Sequence, residues 1–318
     1  MQPKRFCFIG HVDSGKSSCA GHLLTQCGHF SDHELKQNEQ ECQQQKYQIY
    51  SRLLDIFTEE REKGKTHEFT TIDFNHLGKD YQIVDTPGHK TFIRELIKGV
   101  SIISPEKMIG CLMISAKEGE FKAGWEKGQT KEDIIITRSV GINKLIVLIN
   151  KMDTNSWNQE IFNNIKSCID NFIKKCSFKF VSYIPISAYS GIGLINTDHM
   201  PDWHYGKSLI ETIDEINDEN INEEIFDVKS WKVMLINLTI LWCPNIISPG
   251  FKFILHYSGS EYEVVVNKII GKNYAKTNDT CQCIINSNKI IDNIYKTRRI
   301  IARYENNTIG FGKIIKVN

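Results

Sequence analysis

"IGHVDSGKSS", Ile9 to Ser18, decides the fold. It follows the apolar run "RFCFI" (5–9) and precedes a stretch of helical spacing, 16–27. Gly10, His11, Val12, Asp13, Ser14, Gly15, Lys16 and Ser17 fit G-x-x-x-x-G-K-[ST]. Glycines let the backbone wrap a phosphate, so that successive N–H groups point inward. The helix that follows offers its positive N-terminal end to the anion. In this pattern Lys16 reaches the outer phosphates and Ser17 coordinates Mg²⁺, and Ser18 closes the binding stretch. The segment is a phosphate cradle set on the first strand of a sheet.

Outward from this loop, short apolar runs alternate with amphipathic stretches. Strands are expected at 5–9, 69–77, 81–85, 108–115, 144–150 and 180–187. Helices are expected at 16–27, 90–100, 130–140, 159–176 and 207–217. Such alternation predicts a mostly parallel sheet with helices on both faces, its binding loops gathered along one edge. The polar stretch 33–66 between the first helix and Thr66 has helical spacing only in its later half, at Ile49, Leu53, Leu54 and Phe57. An insertion of this length is expected to serve function or movement rather than the core. After the acidic, Asn-rich "IDEINDENINEEIFD" the rhythm changes to strand-like runs separated by turns, which predicts a small all-β antiparallel barrel or sandwich. The expected domains are 1–222 and 223–318.

The loops that close these strands carry chemistry. "VDTPGH" ends one run: Asp85 is placed to hold Mg²⁺ through a water, the Gly88 N–H to sense a γ-phosphate and His89 to orient a water. "NKMD" ends another. A carboxylate at Asp153 accepts both the N1–H and the exocyclic amine of guanine, a donor pair that adenine lacks. Asn150 ties this loop to the phosphate loop, and Lys151 lies along the base. In "ISAYSG", Ser187, Ala188 and Tyr189 form the last binding loop, with the Ala188 N–H offered to the guanine carbonyl. The four motifs in this order predict a site for GTP and GDP with Mg²⁺, and a GTPase.

Composition sets bounds. Hydrophobic residues are 41% of 318, enough for a real core. No run reaches the length of a membrane helix, no signal peptide is expected before Ile9, and no membrane partner is expected. The ten cysteines form no framework; Cys281 and Cys283 alternate on an expected strand as buried thiols. A reducing, cytoplasmic setting is expected. His29 and His33, spaced i, i+4 without a carboxylate or thiol cluster, are not read as metal ligands. From Asp227 onward lie 13 of the 39 Lys+Arg and 6 of the 38 Asp+Glu, a net of +7 against −6 for the rest. A basic C-terminal part suits an anionic partner such as RNA or an acidic protein surface.

"GHVDSGK", "DTPGHKTFI", "GEFKAGWEKGQTKE" and "LIVLINKMD" resemble the signatures of translational GTPases of the elongation factor 1-alpha group. "EEREKGKT", with Lys65 before Thr66, resembles the branch of the eukaryotic peptide-chain release factor GTPase and the ribosome-rescue GTPase. The resemblance implies that Thr66 is the switch threonine that closes on Mg²⁺, that the insertion before it is switch I, and that His89 is the catalytic histidine, with Val12 one wall of its gate. It implies as partners the ribosome and a tRNA-shaped release or rescue protein, and contact of the basic C-terminal part with ribosomal RNA.

The group has a GTPase domain and two β-barrels. Here about 95 residues follow the GTPase region, and "NIISPGFKFILHYSGSEYEVVVNKIIG" and "RRIIARYENNTIGFGKIIKV" resemble the last barrel, so the middle barrel is expected to be absent. The segment 100–108 runs longer than the group's pattern. Elongation-type delivery of aminoacyl-tRNA and a non-hydrolysing, nucleotide-switched decoy of translation proteins stand as alternatives.

Overall fold

The structure is a computed structural model that describes residues 2–42, 48–62, 71–84, 107–126, 129–139, 141–176, 178–216, 230–257, 260–292, 299–305 and 307–318. The helix expected at 90–100, Lys65, Thr66, Asp85, Gly88, His89, most of the 100–108 segment and the 222/223 boundary lie outside these residues.

The first of two compact units is built on a six-stranded sheet in the order β2-β3-β1-β4-β5-β6. Its strands are β1 (Lys4–Ile9), β2 (Thr71–His76), β3 (Lys79–Val84), β4 (Met108–Ser115), β5 (Lys144–Asn150) and β6 (Phe180–Pro185). All neighbours pair in parallel except β2, which runs antiparallel to β3 at the edge. The central strands β4 and β5 are buried at every position. That is why they read as continuous apolar runs rather than alternating ones. Strand β6, at the sheet edge, ends at Pro185, two residues before its expected end, with the Ile186 N–H still donating to the Ile149 carbonyl.

The helices are α1 (Lys16–Gln26), α2 (Asp32–Glu41), α3 (Ile49–Glu62), α4 (Glu120–Glu126), α5 (Gln129–Ser139), α6 (Gln159–Cys176) and α7 (Leu209–Glu215). Helix α6 has the bounds its periodicity predicts. It buries Phe162, Ile165, Ile169 and Ile173 on one face and keeps two lysines in its last turn, opposite the dipole's negative end. Helix α7 is shorter than expected: a capping box of Ser208 and Glu211 starts it, and the extended backbone of Ile216 stops it.

The insertion departs from its expectation. It is structural as well as polar. Helix α2 begins with a capping box in which Ser31 and Glu34 satisfy each other's backbone N–H. Leu53 and Leu54 of α3 are buried in the core beside Leu23 and Leu24 of α1. A buried Asn38 side chain donates to the Ile49 carbonyl and joins α2 to α3. The helical spacing of Ile49, Leu53 and Leu54 thus marks a stripe of core contact on an otherwise polar stretch.

The second unit is a closed, six-stranded antiparallel barrel in the order β10-β7-β12-β11-β8-β9. Its strands are β7 (Ser230–Ile240), β8 (Lys252–Tyr257), β9 (Ser260–Ile269), β10 (Thr280–Asp292), β11 (Arg299–Tyr304) and β12 (Asn307–Val317). Inward residues such as Ile236, Leu238, Leu255, Val264, Ile285 and Ile314 fill it. Cys281 and Cys283 are buried free thiols, as expected. Among the described residues no helix is long and apolar enough to cross a membrane.

Candidate functional site

The phosphate loop takes the shape that its motif requires. Gly10 and Gly15 have φ of 139° and 94°, and Asp13 has 63°. A Cβ on Gly10 would stand 2.5 Å from the Met113 carbonyl oxygen, and one on Gly15 would stand 2.3 Å from Asn150 Nδ2. Both positions therefore exclude any side chain on grounds of space and backbone conformation. Lys16 Nζ donates to the carbonyls of Gly10 (2.6 Å) and His11 (2.9 Å), which holds the loop wrapped. Helix α1 starts at Lys16 with no side-chain cap and no acidic residue in its first turn, so its positive end is left for an anion. Ser14 Oγ is buried and meets no hydrogen-bond partner among the described residues. A cradle with spare donors, a lysine and an uncapped helix end fits a polyphosphate.

Ser17 is exposed and Ser18 half-buried at the same end of α1. Of the residues expected to hold magnesium, Ser17 alone is described; Thr66 and Asp85 are not. Val12 is 37% exposed, an apolar side chain at the wall of a cleft of about 150 Å³. His11, Asp13, Ser14, Ser115 and Glu120 share that wall.

The base end is organised by Asn150, at the end of β5 and 2% exposed. Its Nδ2 donates to the Ser14 carbonyl (2.8 Å), and its Oδ1 accepts the Ala188 N–H (2.8 Å). One side chain thus joins three loops that are far apart in sequence. The tie to the phosphate loop was expected. The tie to Ala188 adds to the expectation: the N–H that the sequence offers to a guanine carbonyl donates to Asn150 Oδ1 in this structure. A buried amide must be paired, and Asn150 is the nearest acceptor. A guanine oxygen would have to share that hydrogen or displace Asn150.

Lys151 sits in the left-handed region at φ 64°, and a 3₁₀ turn, Met152–Asn155, follows it. Asp153 is exposed at that turn, within reach of a ligand. Ser187 and Ala188 are buried and Tyr189 is half exposed; the loop closes on itself through Gly191 N–H to the Ser187 carbonyl (2.8 Å).

Three residues of this site are absent from the sequence expectations. Glu120, the first residue of α4, receives Lys151 Nζ at 2.6 Å and Ser115 Oγ at 2.7 Å, and pairs with Lys117 at 3.1 Å. Burial disfavours its charge, yet these three donors outweigh burial and hold its carboxyl at about 2. Asp133 of α5 is buried; burial pushes its carboxyl up to about 7, with the charge of Lys16 pulling the other way. His22 of α1 donates from Nδ1 to the Ala188 carbonyl at 2.8 Å. A lone acid or histidine in a sequence gives no sign of such a partner. For Asp133 the sign was its place within the apolar stretch "DIII".

The Glu120 clasp sets a pH dependence. Its folded-state pKa lies below the usual carboxylate value, so its stabilisation is present above that value and is lost as pH falls toward about 2. The carboxylate is 32% exposed, which limits the contribution to about 1 kcal/mol. Glu120→Gln is expected to melt below wild type at about pH 6, with the gap closing as both approach about pH 2. Parallel curves across thermal scans would show that Glu120 does not hold Lys151 through charge.

The family model "Elongation factor Tu GTP binding domain" matches residues 2–225. Elongation factor 1-alpha of Desulfurococcus mucosus is 36% identical over 226 residues, covering 68% of this chain and 51% of that protein. The eukaryotic peptide chain release factor GTP-binding subunit of Kluyveromyces lactis is 37% identical over 227 residues, covering 68% of this chain and 32% of that one. The chain spans about half the length of the elongation factor 1-alpha proteins it matches. In fold it is similar to the S. cerevisiae Ski7 GTPase-like domain, solved bound to GDP and inorganic phosphate, with TM-score 0.72, 15% identity and coverage of 98% of this chain and 96% of that one. With the phosphate loop, Asn150 and the 187–191 loop all inside the matched residues, the chain belongs to the family of the elongation factor Tu GTP-binding domain.

Proposed function

We propose that this chain is a GTP-binding and GTP-hydrolysing translation factor of the release or rescue type, acting on the ribosome with a tRNA-shaped protein. Its GTPase domain is 1–222 and its partner-binding barrel 223–318. The observation that carries the nucleotide reading is the Asn150 side chain, which fastens the phosphate loop at Ser14 and the base loop at Ala188 in one stroke. Lys65 ahead of Thr66, together with 37% identity to a release factor GTP-binding subunit, supports the release or rescue branch. The net charge of +7 from Asp227 onward supports contact with ribosomal RNA or an acidic protein face.

In this reading the amides of Gly10–Ser18 and Lys16 bind the phosphates, Asp153 selects the base, and Lys151, Ser187 and Tyr189 frame it. Ser17, Thr66 and Asp85 would hold magnesium, which when bound neutralises charge developing on the phosphoryl oxygens. His89 orients the attacking water, the Gly88 N–H senses the γ-phosphate, and Lys16 stabilises the transferring group. Loss of the γ-phosphate releases Thr66 and Gly88 and loosens the partner.

Turnover by the chain alone is expected to be slow, with ribosomes adding roughly 10³-fold or more. His89→Ala is expected to bind GTP as wild type does and to lose that stimulation in single-turnover hydrolysis. Equal stimulated rates in the two proteins would remove His89 from catalysis. Identity of 36% to an elongation factor 1-alpha supports a second reading, delivery of aminoacyl-tRNA. GTP-dependent retention of aminoacyl-tRNA on a filter would favour it over the first.

A further inference from the structure

Helix α1 does more than present its N-terminus to a phosphate. One turn apart on it, two side chains reach the base loop. His22 Nδ1 donates to the Ala188 carbonyl at 2.8 Å, and Gln26 Nε2 donates to the Gly191 carbonyl at 3.2 Å. Asn150 holds the N–H of the same Ala188. Ala188 is therefore gripped on both sides of its backbone, from β5 and from α1.

His22 in turn is held from the insertion. The ring of Tyr50, in the first turn of α3, stacks on the imidazole with centroids 3.7 Å apart and planes 14° from parallel. The close approach is possible because Gly21 has no side chain: a Cβ there would lie 2.0 Å from the Tyr50 carbonyl oxygen. Burial of the imidazole lowers its pKa, against the pull of its backbone hydrogen bonds to Ala188 and Tyr189. At its other end, α3 is described to Glu62, four residues before Thr66 in the sequence.

We infer that His22 and Tyr50 are positioning residues of the base end of the nucleotide site: Tyr50 seats His22, and His22 seats the loop Ser187–Gly191 against the base. The insertion before Thr66 thereby becomes a lever on nucleotide release. A displacement of α3 frees the imidazole, the Ala188 carbonyl loses its donor, and the base loop loosens while the phosphate loop stays closed. This inference rests on the nucleotide reading above and adds its regulation.

The test uses the whole chain, a fluorescent GDP analogue and inorganic tripolyphosphate as competitor. Tripolyphosphate meets the phosphate cradle but has no base. His22→Ala is expected to release GDP about tenfold faster, the effect of one buried hydrogen bond, with the inhibition constant of tripolyphosphate unchanged. Tyr50→Leu is expected to act in the same direction by about threefold, as for one aromatic stack. His22→Gln, which retains a donor, and Tyr50→Phe, which retains the ring, are expected to return release toward the wild-type rate. Tyr50→Leu carries the test if His22→Ala fails to fold. Unchanged GDP release in the Ala and Leu variants, or equal losses for GDP and tripolyphosphate, would overturn the inference. Wild type that binds no GDP would instead overturn the nucleotide reading itself.

Discussion

Asp153→Asn is expected to lose about 10³-fold in affinity for GTP and to bind XTP in its place. Guanine presents two donors on one edge, N1–H and the exocyclic amine, and a carboxylate accepts both. A charge-assisted bond is worth about 2 kcal/mol; asparagine gives up the bond to the amine and sets its own NH2 against that donor, which together cost about 4 kcal/mol. Xanthine carries an oxygen where guanine carries the amine. An asparagine accepts from N1–H with its oxygen and donates to that carbonyl with its amide, so the preference inverts. Asp153 lies exposed on the 3₁₀ turn Met152–Asn155, and the substitution changes no packing. Calorimetric titration of both proteins with GTP and XTP in magnesium decides the matter. Undiminished GTP affinity in the variant would mean that another group reads the base.

Asn150→Ala is expected to damage both the fold and the site. Its side chain bonds both the phosphate loop and the base loop, and it is 2% exposed. Alanine leaves the Ser14 carbonyl and the Ala188 N–H buried without those partners, at about 1–3 kcal/mol each. A loss of about 3 kcal/mol corresponds to melting about 8 °C lower in a chain of this size. GDP affinity should fall by more than about 10²-fold, because the two loops no longer share a fixed spacing. A variant that melts with wild type and binds GDP as tightly would show that Asn150 is not the joint between the loops. The two substitutions differ in kind: the first changes which base is bound and spares stability, and the second costs both.

The parts of the molecule that follow from local chemistry were legible in the amino-acid order. Eight consecutive residues fix the phosphate loop, because its glycines, lysine and helix end act on one another within two turns of chain. The apolar runs of β4 and β5 announced a sheet covered on both faces, and the stripe on α6 gave its bounds. The alternation after Ser230 announced strands. Helix α4 has seven residues, too few for a period to show, and α2, without an apolar stripe, was not foreseen.

What the order of residues left open is what distance in the chain conceals. His22 meets a carbonyl 166 residues away, Glu120 a lysine 31 residues away, and Asn150 an amide N–H 38 residues away. Each is an ordinary polar side chain until the sheet brings its loops to one edge. Closure of the barrel is of the same nature, since β7 pairs with β10 and β12 but with neither of the next two strands in sequence. Local backbone preference and side-chain periodicity act over a few residues and wrote the elements and the phosphate cradle. Burial and hydrogen-bond pairing act across the folded chain, and they alone decided which carbonyl, carboxylate and ring hold the base end in place.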